Sequence, residues 1–218
     1  MQQALCISIE GIDGSGKSTL ISALSQSLTA AGIDNIQTRE PGGTPAGEAV
    51  RNVVKSDLDM DDMTRALLFA ASRRELLRSV IRPAKLNSTW VLIDRFVDSM
   101  FVYQESATLP YRTLRQLHRM TADDYLPDCT LWVDTPVEIA YARATQRDSS
   151  DSLDRVDLAR YQALRQRFYA RFEDDDTGRI VRIDGSKSLT KMVEMATAHC
   201  LYRAKALALD RGPVMGIA

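Results

Sequence analysis

The chain carries very little net charge: 28 Lys and Arg stand against 29 Asp and Glu over 218 residues, a formal balance of -1. Neither a nucleic acid duplex nor a membrane surface is expected as its main partner, because both select for a basic excess. Cysteine is scarce as well. Cys6, Cys129 and Cys200 lie far apart with no C-x-x-C pair. Two of them stand in apolar, strand-like runs, the setting of small buried hydrophobes in a reducing compartment. There is no apolar run of about 20 residues and no charged n-region followed by an apolar h-region, so the chain reads as soluble, unexported and cytoplasmic. Repeats and low-complexity segments are also missing. At this length a single α/β domain over 1–218 is expected.

What the chain does have is an alternation of short strands and amphipathic helices. Apolar or β-branched runs at 5–9, 36–38, 90–93, 129–133 and 180–183 predict a five-stranded parallel sheet flanked by helices on both faces. Leu20, Leu24 and Leu28 mark a helix over 19–31 with Gly32 as its stop, and 61–77 is a second amphipathic candidate. Pro83, Pro110, Pro127 and Pro136 fall at predicted junctions, where a missing N–H does least damage. The polar stretch 146–157 reads as a mobile lid between two helical patterns, and the Gly-Pro in the tail 207–218 suggests a frayed end.

The first apolar run leads into Gly11-Ile12-Asp13-Gly14-Ser15-Gly16-Lys17-Ser18-Thr19, a match to G-x-x-x-x-G-K-[ST] between a strand and a helix. Such a P-loop curls backbone N–H groups around the phosphates of a nucleoside triphosphate. Lys17 would reach the β- and γ-phosphates, and Ser18 would ligate Mg²⁺ at the positive end of the helix. A Gly-rich turn without a ligand is the alternative. The expected fold is thus of the P-loop NTPase type.

Further motifs narrow the class. Thr38-Arg39-Glu40-Pro41-Gly42-Gly43-Thr44, Phe69-Ala70-Ala71-Ser72-Arg73, the strand ending in Asp94-Arg95, Ser99 with Tyr103-Gln104, Pro127-Asp128 and Leu153-Asp154-Arg155 follow in order. Over roughly residues 4 to 203 the chain resembles the thymidylate kinases. The resemblance implies transfer of the ATP γ-phosphate to dTMP with Mg²⁺, and a homodimer formed through helices packed against the sheet. It places Arg51 and Arg95 at the acceptor phosphate, Arg73 at the O4 edge of the pyrimidine and Phe69 against the ring. Pro41 falls near the C5 substituent, Tyr103 beside the deoxyribose, with Ser99 and Gln104 in the same substrate motif, and Asp13 near the sugar 3'-OH and acceptor phosphate.

Each residue has a plainer reading. An Arg can cap a helix or pair with a surface carboxylate, Phe69 and Tyr103 can fill core space, and Asp13 can form a turn. Asp94 ends a strand where α/β sheets place ligands, so it is a candidate metal carboxylate as well as a helix N-cap. The P-loop itself offers no arginine. A transition-state cation must then come from elsewhere, and the resemblance points to the lid, with Arg147 and Arg155 as candidates and Arg143 nearby. Phe101 and Glu105 depart from the family pattern at positions taken to line the base pocket. They leave the same chemistry on another deoxypyrimidine monophosphate, 5-hydroxymethyl-dUMP or dUMP, as an alternative. Another acceptor, or a non-catalytic nucleotide-binding switch, stands further off.

Overall fold

The computed structural model describes residues 4–146, 157–173, 175 and 177–210. Strands β1 (Cys6–Glu10), β2 (Asn35–Arg39), β3 (Trp90–Asp94), β4 (Cys129–Asp134) and β5 (Ile180–Asp184) form one 5-stranded sheet in the order β2-β3-β1-β4-β5. Every pairing is parallel. The helices are α1 (Lys17–Ala30), α2 (Pro45–Lys55), α3 (Asp62–Leu76), α4 (Arg82–Leu86), α5 (Val97–Gln104), α6 (Tyr111–Ala122), α7 (Val137–Thr145), α8 (Leu158–Phe172) and α9 (Leu189–Asp210).

Strand alternation sorts the core into two faces. Leu5, Ile7, Ile9, Trp90, Leu92, Cys129 and Leu131 pack with Leu20, Leu24 and Leu28 of α1 and with Met192, Ala196 and Cys200 of α9. Cys6, Val91 and Ile93, one residue out of phase, pack on the other face with Leu76, Leu77, Ile81, Val97 and Leu114. Both faces of the sheet are covered by helices, which explains why its inner strands β1, β3 and β4 read as largely apolar runs, whereas the edge strands β2 and β5 are partly exposed. Leu24 is fully buried, and its truncation to Ala is expected to cost about 2–5 kcal/mol. All three cysteines are buried free thiols. No helix among the described residues is long and apolar enough to cross a membrane.

Pro83 does not end a helix. Residues 62–86 are continuously helical, because a π-helical stretch, Leu77–Ile81, links α3 to α4. There the Arg82 N–H reaches the Leu77 carbonyl, and this wider turn accommodates a proline ring that would clash with the carbonyl of a regular turn. Pro110 and Pro136 are the N-cap residues of α6 and α7. The carboxyl edge of the sheet is acidic: β1, β3, β4 and β5 end in Glu10, Asp94, Asp134 and Asp184. That edge is where open parallel sheets bind their ligands.

Candidate active site

β1 hands the chain to the P-loop at Glu10, and α1 begins at Lys17 with Gly16 as its N-cap at φ 97°. No side chain caps this end and its first turn holds no acidic residue, whereas Thr44, Asp61 and Asp157 cap α2, α3 and α8. The leading N–H groups of α1 are therefore presented to an anion. Gly14 has φ 73°, and a Cβ there would lie 2.0 Å from the Ala140 carbonyl oxygen of α7, so only glycine lets the loop close against that helix. Lys17 folds back to donate to the carbonyls of Gly11 at 3.1 Å and Ile12 at 2.9 Å. Burial, followed by the nearby Arg95, pushes its ammonium down to about 8. Ser15 Oγ is buried without a hydrogen-bond partner among the described residues. Ser18 and Thr19 are exposed on the first turn of α1.

Ser18 Oγ donates to Asp94 Oδ2 at 3.1 Å, which brings the two candidate metal ligands together across α1 and β3. Asp94 Oδ1 is buried and unpartnered among the described residues. An alcohol and a carboxylate with a spare buried oxygen suit the hard, oxygen-seeking Mg²⁺, which takes few protein ligands and fills its sphere with phosphate and water. The residues present fit that ion.

Arg95 follows β3 in the left-handed region, with φ 64°, a costly conformation for a side chain and one that clusters at functional sites. Its Nη1 donates to Gly11 O at 3.0 Å and Ser99 Oγ at 3.2 Å, and its Nη2 pairs with Asp13. Burial alone would raise the Asp13 carboxyl, but the Arg95 and Lys17 cations outweigh it and hold the group below its usual range. The Arg95 guanidinium also lies over the Tyr103 ring at 4.8 Å. Tyr103 Oη and Gln104 Oε1 are buried without partners among the described residues, a pattern expected of groups that meet a ligand.

The segment after β2, with α2 and α3, positions the other residues expected at the substrate. Arg51 Nη1 donates to Pro41 O at 3.0 Å. Arg73 is 1% exposed and forks onto Glu40, with Nη2 2.7 Å from Oε2, while Nη1 donates to Met100 Sδ at 3.0 Å. Phe69 is half-buried on α3 and belongs to none of the core clusters among the described residues.

The thymidylate kinase family model matches residues 9–196. A thymidylate kinase of Pseudomonas fluorescens (strain Pf0-1) is 41% identical over 191 residues, covering 86% of this chain and 90% of that protein. One from Marinomonas sp. (strain MWYL1) is 42% identical over 186 residues, covering 84% and 87%. One from Bradyrhizobium sp. (strain BTAi1 / ATCC BAA-1182) is 37% identical over 211 residues, covering 93% of each. The chain belongs to the thymidylate kinase family.

Phe101, expected from its motif position to line the base pocket, is packed against α6. It is 3% exposed and packs edge-on against Tyr111 at 5.0 Å and His118 at 6.2 Å of α6, with the Arg171 guanidinium 5.2 Å from its ring. The polar residue expected there is replaced by a core aromatic whose partners come from α6 and α8. Glu105, at the end of α5, lies 3.9 Å from Arg171 in an ion pair. Arg147 and Arg155 lie outside the described residues, as does the lid except for its ends. Arg143 is described: its Nη1 would be 3.9 Å from a Cβ on Gly16, so it stands beside the P-loop. Sequence reasoning gave no role to Glu10 or Glu40. A lone carboxylate closing an apolar run was the available signal for Glu10, and the pairing of Glu40 with Arg73 spans 33 positions.

Proposed function

We propose that this protein, an ATP-dependent nucleoside monophosphate kinase by family, phosphorylates dTMP to dTDP. One observation carries the reading: Lys17, on the donor side, and Arg95, on the acceptor side, donate to the same carbonyl, that of Gly11, at 3.1 and 3.0 Å. Two cations held that close by a shared backbone oxygen are suited to gripping two phosphate groups that must meet.

In this reading the P-loop amides from Gly11 to Thr19 and the N-terminus of α1 hold the donor phosphates. Arg95 and Arg51 grip the acceptor phosphate. An acceptor phosphate oxygen attacks the γ-phosphorus in line, and the bridging oxygen leaves with ADP. The attacking group is already an anion, so no covalent intermediate and no strong general base are needed. Lys17 meets the charge that builds on the transferring group, with Arg147 and Arg155 of the lid as the further cations. Ser18 and Asp94 would hold Mg²⁺, which supplies charge neutralisation on the triphosphate. Phe69 stacks on the base, Pro41 borders its C5 substituent, and Ser99, Tyr103 and Gln104 face the nucleoside. Asp13 lies toward the sugar and acceptor phosphate. Arg73 meets the base edge through donors left over from its Glu40 fork.

Membership of the family, whose relatives are thymidylate kinases, favours dTMP over a modified pyrimidine as the acceptor. A coupled ADP-release assay across dTMP, dUMP, 5-hydroxymethyl-dUMP, dCMP and dGMP tests this. Preference for dTMP supports it, and activity centred on another nucleotide overturns it. A homodimer is part of the proposal. Helices α2 and α3 leave Val53, Met63 and Leu67 exposed, with Leu58 between them at 60% exposure. Light scattering that returns the mass of one chain would refute the dimer.

A further inference from the structure

We propose that Glu10 is a positioning residue for the acceptor arginine, its buried carboxylate tying the residue that enters the P-loop to the turn that presents Arg95. Glu10 is the last residue of β1 and is fully buried. Its Oε1 accepts from the backbone N–H of Phe96 at 2.8 Å, and its Oε2 accepts from Ser99 Oγ at 2.5 Å. Phe96 is the N-cap residue of α5 and offers no side-chain cap of its own.

The arrangement resembles a capping box with one partner replaced. In that motif a carboxylate three positions into the helix reaches back to the N-cap N–H. Here Ser99 stands three positions after Phe96, and the carboxylate comes from the neighbouring strand. Because the carboxylate belongs to β1, it fixes α5 relative to the P-loop and not only to itself.

Arg95 sits between these bonds. Its backbone is held in the left-handed region at φ 64°, with its N–H on Ile9 O at 3.0 Å and its Nη1 on Ser99 Oγ at 3.2 Å. Strain of that kind persists only where the surroundings over-determine it. Glu10 supplies two of the restraints, one on the residue after Arg95 and one on the hydroxyl that the guanidinium touches. Ser99 Oγ donates to Glu10 and accepts from Arg95, so its hydrogen-bond direction is set by the carboxylate. Asp98, buried beside Glu10, pairs with Arg179 at 2.8 Å and accepts from Thr130 Oγ1 of β4 at 3.0 Å, so it braces the same helix to the sheet without a hydrogen bond to Arg95 among the described residues.

The inference rests on the role given above to Arg95. The experiment is steady-state kinetics with dTMP and ATP varied separately, on the wild type, Glu10→Ala, Glu10→Gln, Ser99→Ala and the Glu10→Gln/Ser99→Ala pair. Wild-type turnover of dTMP tests the assignment of the reaction, while the variants test Glu10. Glu10→Ala is expected to lower kcat/KM for dTMP by roughly a hundredfold, the scale of a misplaced binding group, with KM for ATP within about twofold of wild type. Glu10→Gln keeps the acceptor for Phe96 but loses the carboxylate oxygen that accepts from Ser99 Oγ, so it should recover only part of the loss. Its effect and that of Ser99→Ala should be strongly non-additive, because both act through one relay. Equal losses in the ATP and dTMP constants, or wild-type dTMP kinetics in a folded Glu10→Ala, would overturn the proposal. If Glu10→Ala does not fold, the cycle decides: additive effects refute the relay and coupled effects support it.

Discussion

On the proposed donor side of the cleft, one unbroken run from Gly11 to Thr19 and one helix end offer the groups suited to phosphate. The proposed acceptor side draws Arg51, Phe69, Arg73 and Arg95 from α2, α3 and the turn after β3. The donor side is mostly backbone: positive-φ glycines, the uncapped start of α1 and a lysine resting on two carbonyls. The acceptor side is mostly side chains, two of whose arginines are already in ion pairs, Arg95 with Asp13 and Arg73 with Glu40. Substitution on the donor side should therefore remove rate while sparing the fold. Substitution on the acceptor side should change affinity for one substrate and, where a buried pair is broken, stability as well.

The sharpest test of the first half is Lys17→Ala. Loss of a preorganised cation at the transferring group is expected to lower kcat by about 10³-fold, with the thermal midpoint unchanged, as read by the coupled assay and calorimetry. Glu40→Ala tests the second half. It strands the Arg73 guanidinium, 1% exposed, without its carboxylate, and removal of one member of a buried pair costs about 3–5 kcal/mol. Urea denaturation should show that loss, and a variant as stable as wild type would mean that the pair is not fixed in solution. Phe69→Ala should raise KM for dTMP by the equivalent of about 1–3 kcal/mol of lost stacking, while KM for ATP stays put.

The smallest effect is a pH dependence. Burial, then the neighbouring Asp98, raises the Glu10 carboxyl from its ordinary 4.5 to about 7. A raised acid contributes stability that is fully present below the unfolded value and is lost as pH rises through the folded one. The stability of Glu10→Gln relative to wild type should therefore grow between pH 5 and pH 8, a range chosen to bracket that titration. Burial also pushes the His118 imidazole down to about 4, which gives stability that is lost as pH falls, but that contribution is common to both proteins and cancels in the difference. A difference that stays flat with pH would show that Glu10 does not titrate in this range.

The same comparison explains what was legible beforehand. The P-loop is contiguous, so its chemistry and its place between β1 and α1 follow from spacing alone, as do β1, β3 and β4, whose two buried faces make them largely apolar runs, while the edge strands β2 and β5 give shorter apolar signals. The acceptor residues are separated in sequence and were placed only by resemblance to a family. Phe101 is expected at the pocket from its position in a motif, and its side chain packs on Tyr111, His118 and Arg171, contacts no local pattern reveals. Pro83 is expected at a junction between elements, and the π-helical turn that carries the helix through it leaves no mark in apolar spacing. Glu10 bonds Ser99 across 89 positions, so its partner could not be read from the chain.

The most direct test of the two-sided site is calorimetric titration of dTMP and of Mg-ATP, each alone, into wild type and Arg95→Ala. Truncating a charged group that grips a phosphate costs about 2–5 kcal/mol, so dTMP should bind at least roughly thirtyfold more weakly while Mg-ATP binding holds within about twofold. Equal weakening of both ligands, or unchanged dTMP binding, would contradict the division of the cleft into donor and acceptor sides.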